Sequence, residues 1–87
     1  MNPRPVNPRT DQAVAADFGR RLKAIRTDLG WSQERMAHAT HVSLQTISQI
    51  ERGDRAVRLA TLLLIADGLD MKPGDLVDGI KPPDRPY

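Results

Sequence analysis

The stretch WSQERMAHATHVSLQTISQIER, residues 31–52, decides the fold of this 87-residue chain. It holds two short helices with the same punctuation. Ser32 is a good N-cap, because its hydroxyl accepts a backbone N–H that the first helical turn leaves without a partner. Glu34 follows in that turn, where its charge complements the positive end of the helix dipole. Trp31 before the cap and Met36 in the next turn have the spacing of a hydrophobic staple. The helix stops near Thr40. Ser43 then caps a second helix, Val42 and Ile47 repeat the staple, and Gly53 supplies a left-handed residue to end it. With only the residues around Thr40 to Val42 between them, the two form either an αα-hairpin or a near-perpendicular pair. Ala37 is small enough to admit a close crossing and favours the second.

Outward from this pair the chain stays helical. Upstream, Val14, Phe18, Leu22, Ile25 and Leu29 recur every three or four residues and predict a helix from Asp11 or Gln12 to Leu29, ended by Gly30. Downstream, a helix is expected from about Arg58 to Leu69, packing Leu59, Leu62, Leu63, Ile65, Ala66 and Leu69. Pro73 suits the first position of a last short helix with Leu76, Val77 and Ile80 on its apolar side. The fold class is therefore all-α, with five helices and one small core. Residues 1–10 and 81–87 are proline-bearing and lack apolar periodicity, so both are expected to be disordered tails around a domain at 11–80.

Composition narrows the function classes. There is no cysteine, hence no disulfide and no thiolate metal site. The longest apolar run, Leu62 to Ala66, is too short for a membrane span, and the N-terminus has no apolar run of a signal peptide. A cytoplasmic protein with no membrane partner is expected. No nucleophile, base and orienting group assemble into a catalytic set, and no glycine-rich phosphate loop is present, so neither an enzyme nor a cofactor is expected. His38 and His41 lack a third ligand at sensible spacing, and the helix breaks between them, so no metal site is expected. Up to Arg58 ten basic residues face six acidic ones; beyond it three face five. The basic half suits a polyanion, although a bias this small is also ordinary surface.

The helix after Ser43 has two unlike sides. At about 100° per residue, Ile47 and Ile50 share one side, while Gln45, Ser48, Gln49 and Arg52 lie opposite. Such a face carries no outward acid, unlike the compensated Glu/Lys face of a purely solvated helix. Glutamine pairs with adenine N6 and N7, and arginine with guanine O6 and N7 or with phosphate.

Together, Gly30-Trp31-Ser32-Gln33-Glu34, Met36-Ala37, Val42-Ser43, Thr46-Ile47-Ser48 and Ile50-Glu51-Arg52-Gly53 resemble the Cro/phage-repressor, or xenobiotic-response-element, helix-turn-helix family. Leu59, Thr61-Leu62-Leu63, Ile65-Ala66, Leu69 and Leu76 continue the pattern, so the resemblance spans about residues 14–80. It implies a five-helix domain, the helix-turn-helix at its second and third helices, that binds double-stranded DNA as a two-fold dimer. It places Leu44, Gln45, Thr46 and Gln49 at base-contacting positions. Ser32, Gln33, Ser48, Arg52 and Arg55 fall at backbone-contacting ones, with Arg26 and Glu51 as an internal ion pair. For Leu44, a thymine methyl, a dimer contact and an idle surface position all fit.

The chain departs from the family pattern in four places. His41 stands at a turn position that usually holds glycine, Val57 and Arg58 replace a proline and a capping residue, and Gly68 interrupts a helix at a cost of about 1 kcal/mol relative to alanine. Leu64 faces outward beside Ala60, Thr61 and Gly68. The function expected is a transcriptional regulator, a homodimer on a two-half-site operator. The alternatives are an antitoxin-like or adaptor module with a protein partner, and a controller of a restriction–modification or phage operon. Arg4 and Arg9 of the N-terminal arm could reach a minor groove, but plain disorder is the favoured reading.

Overall fold

A computed structural model describes residues 8–85, and five helices with no strand run through them. They are α1 (Asp11–Asp28), α2 (Gln33–Thr40), α3 (Leu44–Glu51), α4 (Leu59–Gly68) and α5 (Pro73–Val77). Residues 1–7 of the expected arm, and 86 and 87 of the expected tail, lie outside the described residues.

The caps form where the sequence places them. Ser32 Oγ accepts from Arg35 N at 3.0 Å, and Ser43 Oγ accepts from Thr46 N at 3.1 Å. Thr10, unremarked in the sequence, caps α1 in the same way by accepting from Ala13 N. Between α2 and α3 the chain turns through His41 at φ 58°, so the residue in the usual glycine position does adopt the left-handed conformation. A side chain there costs about 1–2 kcal/mol. Arg58 stands at the start of α4 without a side-chain cap bond.

Leu22, Met36, Ile47, Ile50, Ile65 and Leu76 are fully buried and come from all five helices. Buried among them, Thr40 donates its hydroxyl to the Met36 carbonyl at 2.7 Å, so no polar group is stranded there. α1 packs on α3 and α5, α2 on α3 and α4, and α4 on α5. Two of these contacts are backbone-close and need glycine. A Cβ on Gly19 of α1 would lie 2.2 Å from the Ile50 carbonyl oxygen of α3, and one on Gly68 of α4 would lie 2.4 Å from the Ala39 carbonyl oxygen of α2. Gly68 is therefore a packing residue. The expectation that it is a helix defect beside an exposed patch is corrected.

Three leucines assigned to the core are outside it. Leu29 is 49% exposed, Leu59 70% and Leu63 47%. Leu29 sits past the last turn of α1, at its C-cap. Leu59 and Leu63 belong to a helix apolar nearly all round, whose buried side is instead Ile65 and Ala66, with Leu62 and Leu69 packed beside them. Leu64, expected outside, is 45% exposed. The outer face of α4 thus holds Leu59, Ala60, Leu63 and Leu64.

The described parts of the two expected tails meet. Arg9 N donates to Asp84 Oδ2 at 2.7 Å, and Asp84 N donates back to the Arg9 carbonyl at 2.8 Å. The Arg9 guanidinium reaches the carbonyls of Lys81 and Pro82 and pairs with Asp17 on α1 at 2.6 Å. Arg21 fastens the other end of this region by donating to the carbonyls of Asp75, Leu76 and Asp78, the open C-terminal end of α5.

Candidate nucleic-acid interface

α3 buries Ile47 and Ile50 and turns Leu44 and Gln45 to solvent, with Thr46, Ser48 and Gln49 half-buried along the edge of the same surface. Glu51 is the one acid of α3, and it points inward, its side chain 3% exposed. Its carboxylate accepts from Arg26 Nε at 2.7 Å and Nη2 at 2.9 Å, and from Gln33 Nε2 at 3.1 Å. The remaining Arg26 contact donates to the Trp31 carbonyl at 2.8 Å. The Glu51 hydrogen bonds hold the Arg26 guanidinium's pKa above its ordinary value, against the opposing effect of burial. This network joins the end of α1, the start of α2 and the end of α3, and it leaves the outer face of α3 without an acid.

The site residues named from sequence on α3 and in the loop after it fall into three groups. Gln45 is exposed, with no side-chain hydrogen bond among the described residues, and Leu44 beside it is 44% exposed. Gln49 and Thr46 are engaged by Arg55, whose Nη1 donates to Gln49 Oε1 at 3.0 Å and approaches Thr46 Oγ1 at 3.5 Å. Thr46 Oγ1 also bonds Ser43 Oγ at 2.8 Å. Arg52 donates from Nη1 to Ser48 Oγ at 3.2 Å and pairs through Nε with Asp54 at 2.8 Å. Both members of that pair are more than half exposed, so it contributes little and yields readily to another anion.

At the start of α2, Ser32 is spent on its cap and Gln33 is held by Glu51, so Gln33 meets an anion with only its second amide hydrogen. The exposed start of this helix adds backbone N–H groups and a positive dipole end. Arg35 was missed by the sequence reading. Its guanidinium lies 5.0 Å from the centre of the Trp31 ring, a cation–π contact that holds a charge beside this end of α2. The signal was present as an aromatic and an arginine four residues apart. Chemically, the surface offers hydrogen-bond donors at both edges and two amides between them.

Comparison with known proteins agrees with the fold. The sequence model of the family described as Helix-turn-helix matches residues 22–76. The chain is 46% identical over 50 residues to the HTH-type transcriptional regulator SutR of Escherichia coli, a match covering 58% of this chain but 28% of SutR. It is 34% identical over 68 residues to the uncharacterized HTH-type transcriptional regulator YazB of Bacillus subtilis, covering 78% of this chain and 93% of YazB. Among solved structures it is similar to the restriction-modification controller protein C.AhdI from Aeromonas hydrophila, with a TM-score of 0.70 and 38% identity over 74% of this chain and 97% of that one. The controller C.Esp1396I, solved as a tetramer with its natural 35 base-pair operator, matches with a TM-score of 0.70 and 27% identity over 77% of this chain and 88% of that one.

Proposed function

The chain belongs to the helix-turn-helix family, and from that premise we propose that it is a sequence-specific transcriptional regulator that binds double-stranded DNA as a homodimer. The observation that carries this reading is the outer face of α3, where the only acid of the helix is withdrawn into an internal ion pair. That leaves Leu44, Gln45, Thr46 and Gln49 to meet base edges, while Ser48, Arg52 and Arg55 flank them toward the phosphates. Ser32, Gln33 and Arg35 give a second phosphate anchor at the start of α2, so the duplex is held from both sides of the reading helix. The binding unit is residues 11–80, to which residues 9–10 and 81–84 are fastened. Its setting is the cytoplasm, and no helix among the described residues is long and apolar enough to cross a membrane.

A two-fold dimer sets two copies of α3 into successive major grooves about 34 Å apart. The outer face of α4, with Leu59, Leu63 and Leu64 all more than two-fifths exposed, is the surface for that contact. Likeness to two restriction-modification controllers favours a narrower second reading, control of such an operon, and the genes next to this one distinguish it.

Selection of bound DNA from a random pool tests the proposal. The expected product is a two-half-site sequence. Gln45→Ala and Gln49→Ala should each cost about 1–3 kcal/mol on it and relax one position, whereas Arg52→Ala should weaken all sequences alike. Unchanged operator affinity in both glutamine variants would show the reading face to be elsewhere. A stable complex with another protein, with no DNA enriched, would favour an adaptor instead.

A further inference from the structure

A free glutamine offers a base both an oxygen and an amino group, and the familiar result is a bidentate pair with adenine. Gln45 is free in this sense, but Gln49 is not. Its Oε1 accepts from Arg55 Nη1 at 3.0 Å. A guanidinium has donors only, so it must face the amide oxygen and never the amide nitrogen. The same Nη1 leans on Thr46 Oγ1, itself tied to the α3 cap through Ser43 Oγ. Arg55 therefore lies along α3 with contacts at two side chains about one turn apart.

Resting on the DNA-binding reading above, we infer that Arg55 is a positioning residue that sets the base preference of Gln49 by holding its amide oxygen against the protein. Gln49 then leads with its amino group and reads hydrogen-bond acceptors. In the major groove, guanine displays two adjacent acceptors, O6 and N7, and thymine displays O4, whereas adenine sets a donor, N6, beside N7. The base pair opposite Gln49 is thus a guanine or thymine acceptor site, while the adenine expectation for glutamine stays with Gln45. Arg55 has further N–H groups with which to meet a phosphate at the same time, so backbone contact and amide orientation are compatible roles.

The experiment uses the full chain and the operator obtained by selection, with binding of all four base pairs measured at each half-site position. Gln49→Ala identifies the position that Gln49 reads. At that position the unaltered protein should prefer guanine or thymine over adenine by about ten-fold. Arg55→Ala should bring adenine level with or ahead of them there, leaving the order of preference elsewhere unchanged. Arg55→Lys keeps a charge and a donor and should restore part of the original preference. In the double variant Gln49→Ala/Arg55→Ala, the base-specific effects should not add. If Arg55→Ala weakens every sequence by the same factor and leaves that preference intact, Arg55 is a phosphate contact alone and the inference is overturned. Adenine preferred by the unaltered protein at that position overturns it too. Failure to enrich any DNA would instead remove the DNA-binding reading itself.

Discussion

Alanine at position 68 illustrates how a single methyl reverses an expectation. On helix propensity alone Gly68→Ala should gain about 1 kcal/mol. The added Cβ would meet the Ala39 carbonyl oxygen at 2.4 Å and Thr40 Cα at 2.6 Å, both backbone atoms with little room to give. Overpacking of this kind costs about 1–3 kcal/mol, so the substitution should lower the urea midpoint. A raised midpoint would mean that α2 and α4 stand further apart than described. His41→Gly should act the other way, since it relieves a left-handed residue, and a gain of about 1 kcal/mol is expected in the same assay. Residues such as Ser32 and Ser43 were legible because a cap is a local pattern of a few positions. Gly19 and Gly68 were not, because their reason is a neighbouring backbone that is distant in sequence.

At the scale of elements, α3 and α4 show when a helix can be oriented from its pattern. α3 separates Ile47 and Ile50 from two glutamines and an arginine, so its buried side was fixed before any neighbour was known. α4 reads LATLLLIADG, with four leucines and an isoleucine in ten residues, and such a helix fits a core on several sides. The structure chose Ile65 and Ala66, and that choice put Leu59 and Leu63 outside. An exposed apolar face of this kind has a use if a second copy covers it. Leu59→Glu with Leu63→Glu should therefore shift the protein to monomer in sedimentation at micromolar concentration and weaken operator binding, while its helical signal persists. A dimer that survives both charges places the interface on another element. The same helix lacks a side-chain cap, so Arg58→Ser should stabilise the fold by about 0.5–2 kcal/mol in the urea assay, and no gain would show that the start of α4 is already satisfied.

Across the whole molecule, the contact least legible in the sequence joins the two ends of the described residues. Arg9 and Asp84 are 75 residues apart, and neither belongs to a periodic pattern that would announce their meeting. Arg9, Lys81, Pro82 and Asp84 close against α1, and Lys81, Pro82 and Pro83 form one wall of an apolar cleft of about 500 Å³ with Phe18, Leu62 and Val77. Asp17 is the ionic part of this clasp, held by Arg9 and also by Arg20. The hydrogen bond from Arg9 is the main cause that holds the Asp17 carboxyl below the ordinary aspartate range. A carboxyl lowered in the folded state binds its proton more weakly there than in the unfolded chain. Its contribution is therefore complete above the ordinary aspartate range and is lost as the pH falls through the lowered value. Partial exposure keeps the effect small, and added salt should reduce it further. Thermal melts of the unaltered protein and Asp17→Asn should accordingly differ by a constant amount near neutral pH and converge in strong acid. Arg9→Ala should remove most of that pH-dependent part, leaving the share due to Arg20, and should in addition lower the melting temperature at every pH, because its bonds to the carbonyls of Lys81 and Pro82 do not titrate. Curves for Asp17→Asn that stay parallel to the unaltered protein's down to strong acid would show that the Asp17 charge takes no part in fastening the ends.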